Sequence, residues 1–287
     1  MKILLLGADG QLGRAFLAQP LWCTFDGGAL SRQQLDITDT AAVAEQFKLH
    51  QPDVVINCAA YTAVELAEQQ PDLCYAVNTD AVRQLAQLCQ LNNCLLVQLS
   101  TDYVFSGDSH IPYTEKDAPA PLNVYGKSKW LAEQAIQVNC SKFLIVRTSW
   151  LFSEFGRNFY STVLEKLRSG QPVTVVDDQF GCPTYAGDLA LRLMQLLQYY
   201  SVHGCLNYGV YHLSGTPAVS WYQFAQAIAA SHNLQAKVAP TSTASWAANV
   251  KRPSYSVLDS SLFTADFNMP PPSWRAALLQ LANRIKW

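Results

Sequence analysis

The chain has 287 residues, of which 49% are hydrophobic and only 15% charged, and its net charge is −2. That supplies enough apolar material for one large domain or two that share a core. No block of Lys or Arg appears, which excludes nucleic acid or an anionic membrane as the main partner but admits a small anionic ligand held by local groups.

In chain order, KILLLG at 2–7 predicts a buried strand and QLGRAFLAQ at 11–19 a helix. The apolar run before Gly7 is too short for a secretory leader or a membrane span, so the cytoplasm is the expected compartment. WCTFDG at 22–27 predicts a weaker second strand, and TAAVAEQFKLHQ at 40–51 a helix ended by Pro52. DVVINCAA at 53–60 and CLLVQLS at 94–100 are continuous apolar strands. Between them, Leu73, Val77, Ala81, Leu85 and Leu88 recur at helical spacing over 72–92. A helix at 123–138 and a strand at 142–152 follow.

Strands that are apolar on both faces and alternate with helices predict an α/β fold, a doubly wound parallel sheet of the Rossmann type. After residue 152 the pattern changes. A helical segment at 154–170, a strand and polar loop at 172–185, a helix at 188–200, a short strand at 211–215 and a helix at 220–232 are predicted. The Ser/Thr/Pro-rich stretch at 241–256 reads as a loop, too rich in Trp, Arg and Tyr for a mere linker. The expected division is a dinucleotide-binding domain at 1–152, with a return at about 186–212. A smaller C-terminal substrate-binding lobe is expected from 153–185 and 213–287.

The eight cysteines (23, 58, 74, 89, 94, 140, 182 and 205) show no C-x-x-C and no zinc spacing to a His. They read as free, mostly buried thiols in a reducing compartment. The five histidines have no ligand spacing either, and no bound metal is expected.

Two motifs carry chemistry. Gly7, Gly10 and Gly13 follow the first strand and open the first helix. Glycine there permits a tight turn and lets backbone N–H groups approach a pyrophosphate. The spacing is G-x-x-G-x-x-G, a weak signal alone and a stronger one at the start of an α/β chain. An acidic residue about 20 positions on would favour NAD. That region holds Arg32, which can pair with a 2′-phosphate and favours NADP, with Asp26 as the rival candidate. Asp36 and Ile37 are candidates to border the adenine. The second motif is Tyr125-x-x-x-Lys129. Positions i and i+4 share a helix face, so the ammonium would draw the phenol pKa down toward a usable general acid. Thr101, at the end of the strand over 94–100, can hydrogen-bond the same carbonyl oxygen.

These residues resemble those of the extended short-chain dehydrogenase/reductase family over nearly the whole chain. The matching segments include GADGQLG at 7–13, STDYVF at 100–105, RTSW at 147–150, DDQFGCPTY at 177–185 and RPSYSVLD at 252–259. The resemblance implies reduction, by NADPH or NADH, of the C4 keto group of dTDP-4-dehydro-L-rhamnose. It implies Tyr125 as the acid, Lys129 at the nicotinamide ribose and Thr101 completing the triad. It places Gly10, Gln11 and Leu12 at the pyrophosphate. Ala59, Ala60, Tyr61, Thr62 and Leu99 would line the cofactor cleft, Asp102 and Trp150 would contact the sugar, and Arg252 the diphosphate. A surface ion pair is the plainer reading of Arg252. Some relatives dimerise through a metal held by a Glu where this chain has Ala15, which argues against a metal-bridged dimer and leaves monomer or homodimer. A reductase or epimerase acting on another nucleotide sugar, and a non-catalytic nucleotide-binding subunit, are the competing readings.

Overall fold

The computed structural model describes residues 1–235, 237–246 and 250–284. Five strands, β1 (Lys2–Leu6), β2 (Asp26–Leu30), β3 (Val54–Asn57), β4 (Leu95–Thr101) and β5 (Phe143–Thr148), join the later strand Gly209–His212 in one sheet. All pairs are parallel, and the spatial order is Gly209–His212, β5, β4, β3, β1, β2. Their apolar residues are buried on both faces because helices cover both. On one side α1 (Gln11–Leu17) and the later helix Ala186–His203 pack on Ile3, Leu5, Ile56 and Val97. On the other, α2 (Thr40–His50), α5 (Ala81–Leu91) and α6 (Val124–Asn139) pack on Leu4, Val55 and Leu96, the short helices α3 (Val64–Ala67) and α4 (Pro71–Tyr75) lying between α2 and α5 in the chain. The strand order reverses at β1, flanked by β2 and β3, and a ligand crevice belongs beyond that point.

Local chemistry sets the ends of the helices. Asp39 caps α2 by accepting from the Ala42 N–H at 3.0 Å, and Gln51 ends it at φ 44. Ser220 and Gln223 form a reciprocal capping box on the helix Trp221–Ser231. That helix packs with Phe159–Arg168 and Trp274–Arg284 around Phe152, Phe224 and Trp274 in a separate apolar cluster.

Several boundaries differ from the sequence reading. Residues 20–24 form a tight 3₁₀ turn, and the second strand starts at Asp26, paired with Lys2. The strand expected at 142–152 stops at Thr148 because Trp150 takes a left-handed φ of 47. Leu151–Phe152 then pairs with Thr184–Tyr185 instead. The helix expected at 154–170 begins only at Phe159, capped by Asn158. The helix over 71–91 contains a π-type turn at Ala76–Asp80, which turns Asn78 and Thr79 inward to bond Ser128. Thr241, expected in a loop, ends a strand Val238–Thr241 paired with Val173–Val176. Residues 247–249 of that expected loop lie outside the described residues.

Candidate active site

Two turns and a loop meet at the switch point. Gly7, directly after β1, has φ +76, and its N–H and that of Ala8 donate to the Leu30 carbonyl at 2.9 and 3.0 Å. A Cβ on Gly7 would lie 2.6 Å from the Ala59 nitrogen, so only glycine lets the turn sit against the loop after β3. The result is a cleft of about 340 Å³. Gly7, Gly10, Arg32, Asp36, Ile37, Ala59, Ala60, Tyr61 and Thr62 all border it. Leu12 sends its side chain into the core, Gly13 is buried within α1, and Gln11 accepts from the Ser153 hydroxyl at 3.1 Å.

Arg32 follows the carboxyl end of β2 with its side chain 75% exposed, 4.0 Å from Asp36. Asp26, the rival, lies at the opposite end of that strand beside Lys2. Hydrogen bonds from Thr38 hold the Asp36 carboxyl below its ordinary range. The cleft also takes in Leu35, Cys58, Leu73 and Val77, which sequence reasoning passed over because each looks like a core residue.

Tyr125 and Lys129 lie on α6, the helix Val124–Asn139. Asn123 caps it by accepting from the Gly126 N–H at 2.8 Å, and Glu68 accepts from the Val124 N–H at 2.7 Å. The Asn78 side chain accepts from the Tyr61 N–H at 2.8 Å and donates to Ser128 at 3.0 Å, tying the cleft loop to α6. Thr101, the last residue of β4, sits near enough to the Tyr125 phenol to draw its pKa down, and donates to Asp102 at 3.1 Å. Tyr103 packs edge-on to Tyr125 with ring centroids 5.8 Å apart. Thr101, Tyr125 and Lys129 therefore converge beyond the carboxyl end of β4.

The electrostatics correct one expectation. Burial pushes the Tyr125 phenol well above its ordinary range, opposed by Thr101. Lys129 does not draw it toward neutrality in the chain alone: its ammonium donates to the Leu99 carbonyl at 2.6 Å. Burial brings Lys129 itself down to about 8, against the pull of Glu133. Asp102 is buried, and desolvation pushes its carboxyl up to about 7 against the opposing influence of the Ser256 and Thr101 hydroxyls. Its Oδ2 has no partner among the described residues. Trp150 stacks flat on Trp221 at 3.5 Å. Arg252 is paired with Glu65, the plainer of its two expected placements. Among the described residues no three His, Cys, Asp or Glu side chains group as a metal site.

Residues 1–286 match the family model described as the RmlD substrate binding domain. The chain belongs to the RmlD family. This RmlD-family chain is 41% identical over 281 residues to the dTDP-4-dehydrorhamnose reductase of Streptomyces griseus, covering 96% of this chain and 91% of that one. It is 39% identical over 288 residues to the dTDP-4-dehydrorhamnose reductase of Aggregatibacter actinomycetemcomitans, covering 96% and 97%. Among solved structures, the dTDP-4-dehydrorhamnose reductase of Bacillus anthracis str. Ames in complex with NADP matches it with a TM-score of 0.93 at 35% identity, covering 99% of both chains. No described helix of this RmlD-family chain is long and apolar enough to cross a membrane.

Proposed function

We propose that the chain reduces the C4 keto group of dTDP-4-dehydro-L-rhamnose to give dTDP-L-rhamnose, with NADPH as cofactor. The observation that carries this reading is the convergence of Thr101, Tyr125 and Lys129 beside the glycine-walled cleft that Arg32 borders. The cleft fits such a cofactor: the absent Cβ of Gly7 lets the turn close against the Ala59 loop to form the cleft wall, and the exposed Arg32 guanidinium suits a 2′-phosphate. When bound, NADPH supplies the hydride that reduces C4.

The residues of the chain do the rest. The Tyr125 phenol gives its proton to the C4 oxygen as that oxygen gains charge. A high phenol pKa keeps that proton in place until the oxygen demands it. The Thr101 hydroxyl orients the same oxygen, and the Lys129 ammonium holds the nicotinamide ribose and stabilises the phenolate left behind. Asp102 and Trp150 are assigned to the sugar, and Arg252 to the diphosphate once Glu65 releases it. Gln11, Leu12 and Leu99 keep the cofactor contacts assigned to them through their backbone or neighbours. Eight free thiols support a reducing, cytoplasmic setting. The buried Ala15, which offers no ligand atom, favours a monomer or homodimer without a bridging metal.

The test is NADPH consumption with dTDP-4-dehydro-L-rhamnose generated in situ. Wild type turns over, and Tyr125→Phe loses about 10²- to 10⁴-fold in kcat. Absence of turnover in the wild type refutes the reading.

A further inference from the structure

Helix α6 sets Tyr125, Lys129 and Glu133 at successive four-residue steps along one face. Glu133 is 1% exposed and Lys129 3%. Around the Glu133 carboxylate the hydrogen bonds are complete. Arg147 Nη2 donates at 2.7 Å, Arg147 Nε at 3.0 Å and the Ser100 hydroxyl at 2.5 Å. Arg147 Nη1 in turn lies 3.2 Å from His212 Nε2, while His212 Nδ1 lies 3.0 Å from the Tyr113 carbonyl. A neutral imidazole donating to Tyr113 offers its Nε2 lone pair to Arg147, which satisfies both ring nitrogens.

Ser100 is the informative partner. It stands in β4 between Leu99, whose carbonyl accepts the Lys129 ammonium, and Thr101, whose hydroxyl acts on the Tyr125 phenol. One carboxylate therefore ties α6 to β4 at the residue flanked by two site residues. The groups facing Lys129 from the packed elements are few. They are Cys58 after β3, Cys74 in the helix at 71–75, Tyr125 and Glu133 on α6, and the Leu99 carbonyl on β4. Asp102 acts on Tyr125, and Glu68 on Cys74. Both thiols are held neutral by burial, which leaves Glu133 as the leading anion acting on Lys129.

We propose that Glu133 is a positioning residue for the reductase site, holding Lys129 as an ammonium and fixing β4 against α6 so that Thr101 and Lys129 meet the Tyr125 phenol in one geometry. This rests on the reductase reading above. A carboxylate in a plain structural ion pair would stabilise the fold alike across the neutral and mildly alkaline range, where it stays ionised. A carboxylate that keeps a buried lysine charged acts most where that lysine is about to lose its proton. Removing it lowers the lysine pKa, and the uncompensated Arg147 charge lowers it further.

The experiment uses the full chain and three variants, with two readouts: NADPH affinity by cofactor fluorescence, and the pH profile of kcat/KM. Glu133→Gln is expected to move the alkaline limb of both profiles down by about one pH unit. NADPH binding then weakens about tenfold near pH 8 and stays close to wild type near pH 6. His212→Asn, which changes no charge at neutral pH, lowers the melting temperature and leaves both limbs in place. If Glu133→Gln does not fold, the double variant Glu133→Gln/Arg147→Met carries the test, with the same downward direction expected. A limb that stays put, or a loss of equal factor at every pH, overturns the proposal. A wild type that reduces no keto-sugar sinks the reductase reading separately, since the NADPH-binding profile still decides whether Glu133 governs Lys129.

Discussion

Replacing Gly7 with Ala tests how the cofactor cleft is built. The substitution has two costs that the structure separates. Gly7 sits at φ +76, where an L side chain is disfavoured by about 1–2 kcal/mol. The new Cβ would also stand 2.6 Å from Ala59 N, 2.8 Å from Ala59 Cα and 2.9 Å from the Cys58 carbonyl carbon. Comfortable contact begins near about 3.5 Å, so the turn and the loop must part by about 1 Å. All three atoms are backbone and cannot rotate aside. Overpacking of this kind costs about 1–3 kcal/mol, which brings the sum to about 2–5 kcal/mol. Parting them also stretches the two bonds to Leu30 that tie the turn to β2, the strand leading to Arg32. Thermal unfolding with and without NADPH, paired with a cofactor fluorescence titration, measures both consequences. The expected result is a melting temperature lower by several degrees and NADPH affinity reduced at least about tenfold. A Gly7→Ala variant that melts and binds like the wild type would refute the claim that this backbone approach shapes the cleft.

Three further predictions follow from the same geometry. Arg32→Ala should raise KM for NADPH about 10- to 100-fold and leave KM for NADH unchanged, as a lost charge-assisted contact implies; equal effects on both cofactors would remove Arg32 from the 2′-phosphate. For Asp102, the folded pKa of about 7 stands above the ordinary 3.8, so the carboxyl is accommodated at low pH and loses that advantage as pH rises through the folded value. Asp102→Asn should therefore gain melting temperature on the wild type between about pH 4 and pH 8, and a constant difference would contradict the buried neutral acid. Trp221→Ala removes the surface on which Trp150 stacks, an interaction worth about 0.5–1.5 kcal/mol, and should raise KM for the nucleotide sugar with little change in KM for NADPH.

Much of this was legible because the informative residues stand at element ends. Gly7 follows a run of four buried residues, and Thr101 ends a strand buried everywhere but at Leu99, so the parallel sheet and both site corners could be read from the one-dimensional pattern. Where reading failed, long-range contacts had overridden local preference. The residues at 22–25 are good strand formers, yet the strand is DGGAL, because its position is dictated by pairing with Lys2–Leu6. Trp150 looks like one more strand residue and instead breaks the run to stack on Trp221. The tuning of Tyr125 was misjudged for a related reason: i, i+4 spacing tells which side chains share a face, and says nothing of the Leu99 carbonyl that takes up the ammonium. Glu133 carried a signal that went unused, a carboxylate one further turn along the face that holds Lys129.

The last strand of the central sheet has a bearing on how the protein can be divided. Gly209–His212 pairs with β5 only after the chain has left the sheet at Thr148 and built much of another apolar cluster. A fragment ending near residue 152 would expose the β5 edge and leave Arg147 Nη1 without His212, although Glu133 and Phe105 would still face the guanidinium. Nascent chain emerging from the ribosome is in that condition until residue 212 arrives. Split reporters, domain swaps between relatives and co-expressed halves should therefore be cut after the returning strand, at a loop such as 215–218, rather than where the nucleotide-binding pattern ends in the sequence.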